Sequence, residues 1–438
     1  MKPLWNELSR WRRSPLARNA SWLILGRGLG FVLQALYFVL LARLLGIVEY
    51  GIYAGAFAFV AIVSSYSGLG GGSLFLRYVS VNTGRFSVYW GNIVLTAISG
   101  GAVVVTLLHV AAPHILNPAS ASIVLVAALA NCVCGELLVS VGQVFQAFEK
   151  MHVTALLNFA MSLMRFIAVA SMVLTMHHAT AWQWALACLV ISVIAAFGAV
   201  VAVLFDFGRP SFRFQLFVSR IPEGLGFAMG YSSNWAYNDI DKAMLSHYGM
   251  NRANGLYTMA YRAIDIATVP IFSVYHAAMP MLFRLGNEGI HGTLVLIAKL
   301  LKRTLVLSVI ILIVLFLAAP LIPMIIGRDF AESVSALRWL CVIPLLRCFQ
   351  ASGGTVLTCS GLQRYRTTSQ FAVALFNVGL NIWLIPTRGW IGAAWASLVS
   401  DGSLAIAVWL IVLWQVQQTS SSRSQSILRD EAPPATVG

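Results

Sequence analysis

Gly46-Ile47-Val48-Glu49-Tyr50-Gly51-Ile52-Tyr53 joins two long apolar runs through a short glycine-bounded turn. Gly249-Met250-Asn251-Arg252-Ala253-Asn254-Gly255-Leu256-Tyr257 does the same about two hundred residues later. Two weaker matches keep the same order. Pro113-His114-Ile115-Leu116-Asn117 is similar to Pro323-Met324-Ile325-Ile326-Gly327, and Gln146-Ala147-Phe148-Glu149-Lys150 to Ser360-Gly361-Leu362-Gln363-Arg364. The three offsets are 203, 210 and 214, so order and approximate register hold and an internal repeat is expected. A membrane protein of two similar halves can bind something at their interface and rock around it, as transporters do.

Composition makes lipid the solvent. Hydrophobic residues make up 59% of the chain, charged residues only 10%, and mean hydropathy is +0.81. A soluble domain carries roughly 25% charged residues. Apolar runs of about 20 residues, each long enough to cross a bilayer as a helix, recur along nearly the whole length. They read as about 12 spans: 20–42, 52–70, 89–110, 121–144, 152–175, 181–204, 223–246, 255–280, 304–326, 334–357, 367–386 and 391–415.

The net charge of +14 could suggest nucleic acid, but its placement points to topology. With the N-terminus in the cytoplasm, 19 Lys and Arg fall on that side, 4 on the other (Arg43, Arg252, Arg328, Arg388) and 6 within spans. That bias sets the orientation by the positive-inside rule, with both termini cytoplasmic and no nucleic-acid partner implied. The basic N-terminus leads into an apolar run of more than 20 residues with no small-residue cleavage site, so it reads as a first span rather than a removed signal.

The expected organisation is a basic N-terminus (1–19), a six-helix bundle (20–205), a linker (206–221), a second six-helix bundle (222–415) and a disordered tail (416–438). With six spans each, both halves enter from the same side, related by an axis along the membrane normal. The longest internal loops are expected near 71–88, 205–222 and 281–303, all cytoplasmic, leaving no extramembrane domain for a soluble active site. The six cysteines lie in apolar sequence or at its edge and read as small buried residues.

Eleven charged residues fall inside spans: Arg27, Arg165, Lys242, Arg262, Arg338, Arg347, Glu136, Asp239, Asp241, Asp265 and Asp401. At about 2.5–3.5 kcal/mol each, facing lipid would cost roughly 30 kcal/mol, more than a typical fold's stability. Most must therefore face protein or a watery cavity. Asp239 with Lys242, and Arg262 with Asp265, are three apart and can neutralise each other on one helix face. Arg27 and Arg338 lie near span ends and can snorkel. Arg165 and Arg347 sit near span centres with no acid at i±3 or i±4. With Arg27 and Arg262 they are the candidates to line a cavity for an anionic group. Glu136 and Asp401 also lack local partners; each is either a proton or sodium site or an interhelical salt bridge.

Span seven reads Tyr231-Ser232-Ser233-Asn234-Trp235-Ala236-Tyr237-Asn238-Asp239, too polar to face lipid. Asn234, Asn238 and Asp241 recur at helical spacing. With Asp239, they either line a glycan surface beside Trp235 and Tyr237 or pack against a neighbouring helix. There is no Walker-type phosphate loop, GxSxG elbow or HExxH, and no zinc-type spacing; no catalytic residue, metal or cofactor is expected.

Leu41-Ala42-Arg43-Leu44-Leu45-Gly46, followed by Glu49-Tyr50-Gly51 and Tyr53, resembles the first hairpin of the bacterial polysaccharide flippases. These form the Wzx or oligosaccharidyl-lipid flippase family of the multidrug/oligosaccharidyl-lipid/polysaccharide exporter superfamily. Asp239 to Met244, then Gly255-Leu256-Tyr257-Thr258-Met259-Ala260-Tyr261-Arg262 and Pro280, resemble the family's seventh and eighth spans. Ile326-Gly327-Arg328-Asp329-Phe330 and Gly392-Ala393-Ala394-Trp395-Ala396 resemble its ninth–tenth turn and last span.

The resemblance covers roughly residues 15–415. It implies an all-α polytopic membrane protein of about 12 transmembrane helices in two pseudo-symmetric six-helix bundles, MATE-like, around a central cavity. It also implies movement of an undecaprenyl-pyrophosphate-linked oligosaccharide to the periplasmic leaflet of the bacterial inner membrane for O-antigen, capsule or exopolysaccharide assembly. Expected partners are membrane lipid, the lipid-linked glycan, and the polymerase and chain-length proteins of the same pathway. Drug-exporting relatives often carry an acid on the first span; here that span offers Arg27, which favours an anionic cargo and leaves coupling to H+ or Na+ open. The alternatives are a cation-coupled multidrug or metabolite exporter and a membrane enzyme. The latter is disfavoured because no long loop is expected on the periplasmic side.

Overall fold

The computed structural model describes residues 15–286 and 289–430, with side chains described at 30, 32–279, 281–286 and 289–418. No strand occurs among the described residues. Continuous apolar sequence in lipid leaves the backbone one way to satisfy its polar groups within a single segment, and the chain takes it. The helices are α1 (Pro15–Ser64), α2 (Gly71–Val79), α3 (Phe86–Ile115), α4 (Pro118–Ala128), α5 (Glu136–Ala147), α6 (Met151–Thr175), α7 (Ala181–Phe207) and α8 (Phe214–His247). They continue with α9 (Asn251–Gly286), α10 (Ile290–Ala318), α11 (Leu321–Ile325), α12 (Ser333–Leu340), α13 (Ile343–Cys359), α14 (Gln363–Arg388) and α15 (Trp390–Asp430). A π-helical turn, Leu129–Gly135, joins α4 to α5.

Among the described residues, nine helical stretches are long and apolar enough to cross a membrane. One of them, Val32–Ser64, contains two rods, because Gly46 at φ 69°, ψ 175° breaks the helix. The helices α8 (34 residues) and α9 (36 residues) are also long enough, but carry Asp239, Asp241 and Lys242, and Arg252, Arg262 and Asp265 respectively. Counted this way, the dozen expected spans are present as helices.

The stretches expected as long loops are largely helical. Residues 71–79 form α2, α8 already begins at Phe214, α9 runs to Gly286 and α10 starts at Ile290. These segments keep apolar residues through each helical turn and carry basic ones among them, Arg77, Arg220, Arg284, Lys299, Lys302 and Arg303, so they continue the spans as amphipathic ends. Likewise α15 continues to Asp430, into the stretch expected as a disordered tail. Residues 1–14 and 431–438 lie outside the described residues.

The chain divides into two compact units. The first comprises the chain up to Met259 with Leu321–Ser333 and Ile385–Trp390; the second comprises Ala260–Pro320, Val334–Leu384 and Ile391 onward. The boundary between these units near residue 260 falls inside α9.

In the first unit both copies of the opening motif lie together. Gly249, at φ 71°, makes the second turn as Gly46 makes the first. Glu49 accepts the Ala181 amide of α7 at 2.7 Å, supplying negative charge where the helix N-terminus leaves N–H groups unpaired. Asn117 caps α4 through the Ser120 amide (3.0 Å) and donates to the Ser246 carbonyl (2.6 Å) and Asn251 Oδ1 (2.9 Å). One amide therefore ties the α3–α4 turn to the α8–α9 turn. Trp90, Trp184, Tyr50, Phe75 and Phe145 fill the core of this unit. In the second unit, Tyr275 Oη and Thr304 Oγ1 are 2.8 Å apart, and Cys348 Sγ donates to Thr304 Oγ1 at 3.2 Å. Asn377 donates to Ser400 Oγ at 3.0 Å, and Trp409 Nε1 to the Phe349 carbonyl at 3.0 Å. All six cysteines are buried and unbridged.

Candidate functional site

A cavity of about 410 Å³ opens in the first unit between α1, α2, α5, α6 and α8. Its polar wall comprises Ser64, Ser65, Ser73, Asn131, Glu136, Gln143, Asn158, Arg165 and Tyr231, with Trp235, Leu138, Val139, Leu157 and Met161 as its apolar part. Helical spacing explains the set. Leu157, Met161 and Arg165 lie one turn apart on α6, as do Tyr231 and Trp235 on α8.

The π-turn carries Asn131 and Gly135 and delivers Glu136 at the first position of α5. Such turns sit frequently at functional sites, because the i→i+5 pattern re-aims the side chains of the next turn. The opposing wall is close. A methyl group on Gly68 would overlap Glu136 Oε1, and one on Gly72 would overlap Gln143 Oε1. Glycine there lets two polar side chains enter a wall where any larger residue would exclude them.

Arg165 lies at the middle of α6, about 20 Å from Met151 along the axis. Its Nε is buried and has no hydrogen-bond partner among the described residues, and no carboxylate pairs with it there. Tyr37, Tyr53 and Cys188 are its polar neighbours. Glu136 receives one long hydrogen bond, from Ser140 Oγ at 3.4 Å, and no ion pair among the described residues. The cavity thus holds one guanidinium and one carboxylate, neither used up by the fold.

The other expected site residues are placed differently. Arg347 is locked to Asp265 Oδ1 at 2.9 Å and lies 5.9 Å from the Tyr261 ring centroid. The acid sits on α9, out of reach of any i±4 reading of α13. Arg262 pairs with the same Asp265 at 3.7 Å, as its spacing allows. Lys242 Nζ lies 2.8 Å from Asp239 Oδ1 and 3.5 Å from Asp241 Oδ1, all three buried, and Tyr257 Oη donates to Asp241 Oδ2. Asp401 is buried and accepts from Gln350 Nε2 at 2.9 Å. Asn238 bonds back to the Asn234 carbonyl at 2.7 Å, and its own carbonyl accepts from Lys242 Nζ at 2.7 Å. Asn238 is thus tied along α8, Ser232 reaches across to the Ile62 carbonyl at 2.7 Å, the Asn234 side chain is exposed, and the members of the stripe that line the cavity are Tyr231 and Trp235. The Arg27 side chain lies outside the described residues, as does that of Pro280. Asn131, Gln143 and Asn158 belong to no motif of the sequence; isolated amides in apolar spans are the signal that marks them.

At the α2 end of the unit, Glu223 accepts from Arg77 (2.8 Å) and Tyr78 (2.9 Å), and Arg220 donates to Tyr78 Oη (2.7 Å). The hydrogen bond to the Glu223 carboxylate pushes the Tyr78 phenol up from its ordinary value. No group of metal-ligating side chains occurs among the described residues.

The family model of the polysaccharide biosynthesis proteins matches residues 16–286, more than half of the 438. Solved structures share the fold at low identity. An inward-facing multidrug resistance MATE family transporter of the MOP superfamily is 14% identical with a TM-score of 0.68, covering 90% of this chain and 96% of its own. The lipid II flippase MurJ, inward closed, is 14% identical with a TM-score of 0.71, covering 90% of this chain and 87% of its own. A MOP superfamily transporter from Pyrococcus furiosus, described as having a binding pocket of reverse polarity, is 14% identical with a TM-score of 0.63, covering 94% and 97%. No curated protein matches the sequence. The fold is that of the MATE-like transporters of this superfamily.

Proposed function

The chain belongs to the polysaccharide biosynthesis protein family, and we propose that it flips a polyprenyl-pyrophosphate-linked oligosaccharide across the bacterial inner membrane by alternating access, for O-antigen, capsule or exopolysaccharide synthesis. The observation that carries this reading is Arg165: a guanidinium at mid-helix, its Nε buried and partnerless among the described residues, in a polar cavity of about 410 Å³. Placing a cation there costs about 2.5–3.5 kcal/mol against lipid, a cost that a pyrophosphate ligand would offset. Serine, amide and aromatic side chains around it suit a glycan, and the polyprenyl tail can remain in the bilayer. A lipid II flippase shares the fold. The arginine and lysine bias of 19 to 4 supports cytoplasmic termini. No catalytic role is assigned.

A second reading is favoured by Glu136, a carboxylate in the same cavity, which would suit a cation-coupled multidrug or metabolite exporter. One set of variants separates the two. Arg165→Ala abolishes surface polysaccharide at unchanged protein level in the membrane, and Arg165→Lys restores part of it, whereas Glu136→Gln preserves polymer. Normal polymer from Arg165→Ala would overturn the flippase reading. Loss of drug resistance in Glu136→Gln, with polymer unaffected in both variants, would establish the exporter reading.

A further inference from the structure

We propose that α10 carries a binding face for anionic phospholipid headgroups, made by Lys299, Lys302 and Arg303. At 100° per residue these three fall within one sector of the helix, and Val306, Ile310, Ile313, Val314 and Leu317 fall in the same sector. All eight are exposed, while Ile297, Thr304, Ser308 and Leu315 on the opposite side are buried. The stripe is therefore an outward-facing surface, basic for one turn and then apolar for three.

Of the nine apolar helical stretches above, this one is the least buried within the protein. Only 11% of its apolar window is buried inside the protein, against 17–61% in the others. Solvent for that face is the hydrocarbon core. Its far end is marked by Arg338, whose guanidinium lies 5.0 Å from the Phe316 ring centroid, and by the Trp339–Trp395 pair at 5.3 Å. An arginine with clustered aromatic rings is the usual signature of a membrane interface. From Phe316 to Lys299 is about 26 Å along the helix, close to the roughly 30 Å hydrocarbon thickness. The basic turn thus sits at the headgroup level of the opposite leaflet, pointing into lipid.

No carboxylate of the protein pairs with these three cations among the described residues. Long basic side chains there extend toward the phosphate layer and make charge-assisted hydrogen bonds with phosphodiester oxygens. The surrounding leaflet supplies those groups, so the occupant is an anionic phospholipid of the bulk membrane rather than the transported cargo.

The test uses the full chain purified in detergent and titrated with phosphatidylglycerol or phosphatidylcholine, read by native mass spectrometry and thermal shift. Wild type should bind phosphatidylglycerol preferentially. The triple variant Lys299→Gln/Lys302→Gln/Arg303→Gln should lose at least tenfold in apparent affinity, since each charge near an anionic surface contributes roughly fivefold. Lys299→Arg/Lys302→Arg/Arg303→Lys should retain it. Arg85→Gln/Arg209→Gln/Arg213→Gln, which removes as many exposed cations elsewhere, should bind as wild type. If the first triple is not recovered folded, Lys302→Gln and Arg303→Gln are read singly and should each lose several-fold. Equal binding of the two lipids, equal loss in the Arg85/Arg209/Arg213 triple, or preferential binding of a polyprenyl diphosphate at this face would each overturn the proposal.

Discussion

Gly51 and Gly255 each lie against the carbonyl four residues before the other. A methyl group on Gly51 would overlap the carbonyl oxygen of Asn251, and one on Gly255 would overlap that of Ile47. The two copies of the sequence motif therefore cross at backbone contact, with local two-fold character. Asn254 Nδ2 fixes the crossing by donating to the Gly51 carbonyl at 2.9 Å and to the Lys242 carbonyl at 3.0 Å. Small residues at such a crossing are how helices gain close packing where lipid removes the hydrophobic drive between them.

Gly51→Ala and Gly255→Ala should each destabilise the protein by about 3 kcal/mol, since rigid backbone cannot yield to the added carbon as a side chain would. Thermal unfolding in detergent measures it. A midpoint unchanged in both variants would mean that the helices separate freely at this point.

The Arg347–Asp265 pair should behave as one structural unit. Asp265→Ala leaves a mostly buried guanidinium with less compensation, and Arg347→Ala leaves the carboxylate to Arg262. A double-mutant cycle should give a coupling energy of about 2 kcal/mol. Additive effects on stability, together with loss of polymer confined to Arg347→Ala, would return Arg347 to the substrate-binding group.

Lys242 balances two buried carboxylates, so Lys242→Met should cost about 4 kcal/mol by leaving both uncompensated. Adding Asp239→Asn should recover part of that loss. Denaturation of the single and double variants decides it: a double variant weaker than the single would show that Asp239 is held by something other than this lysine.

Much of the architecture is legible in sequence because lipid permits so few solutions. Apolar runs of span length become helices, and Gly46 and Gly249, at the motif ends, take the positive φ that turns the chain. Pairs that act within one helix, Asp239 with Lys242 and Arg262 with Asp265, can be read from spacing alone. Arg347 cannot, because its acid lies 82 positions away on another helix. The cavity face is hidden for a related reason. Periodicity assumes an uninterrupted 3.6-residue turn, and the phase of α5 is set by the seven-residue π-turn before it, which no propensity announces. Segments such as 290–303 read as loops because charge lowers their hydropathy without lowering their helical preference.

That π-turn also makes the site sensitive to the winding of the backbone as well as to its chemistry. The wide i→i+5 turn over Leu129–Gly135 holds about one residue more than an α-helix of the same rotation. Closing that stretch into an uninterrupted i→i+4 ladder, with no residue removed, would turn the rest of the rod by about the 100° of one residue, carrying Glu136 and Gln143 away from the space they now share with Arg165. Every wall residue would survive such a rewinding unchanged, and the hollow would still lose its acidic corner.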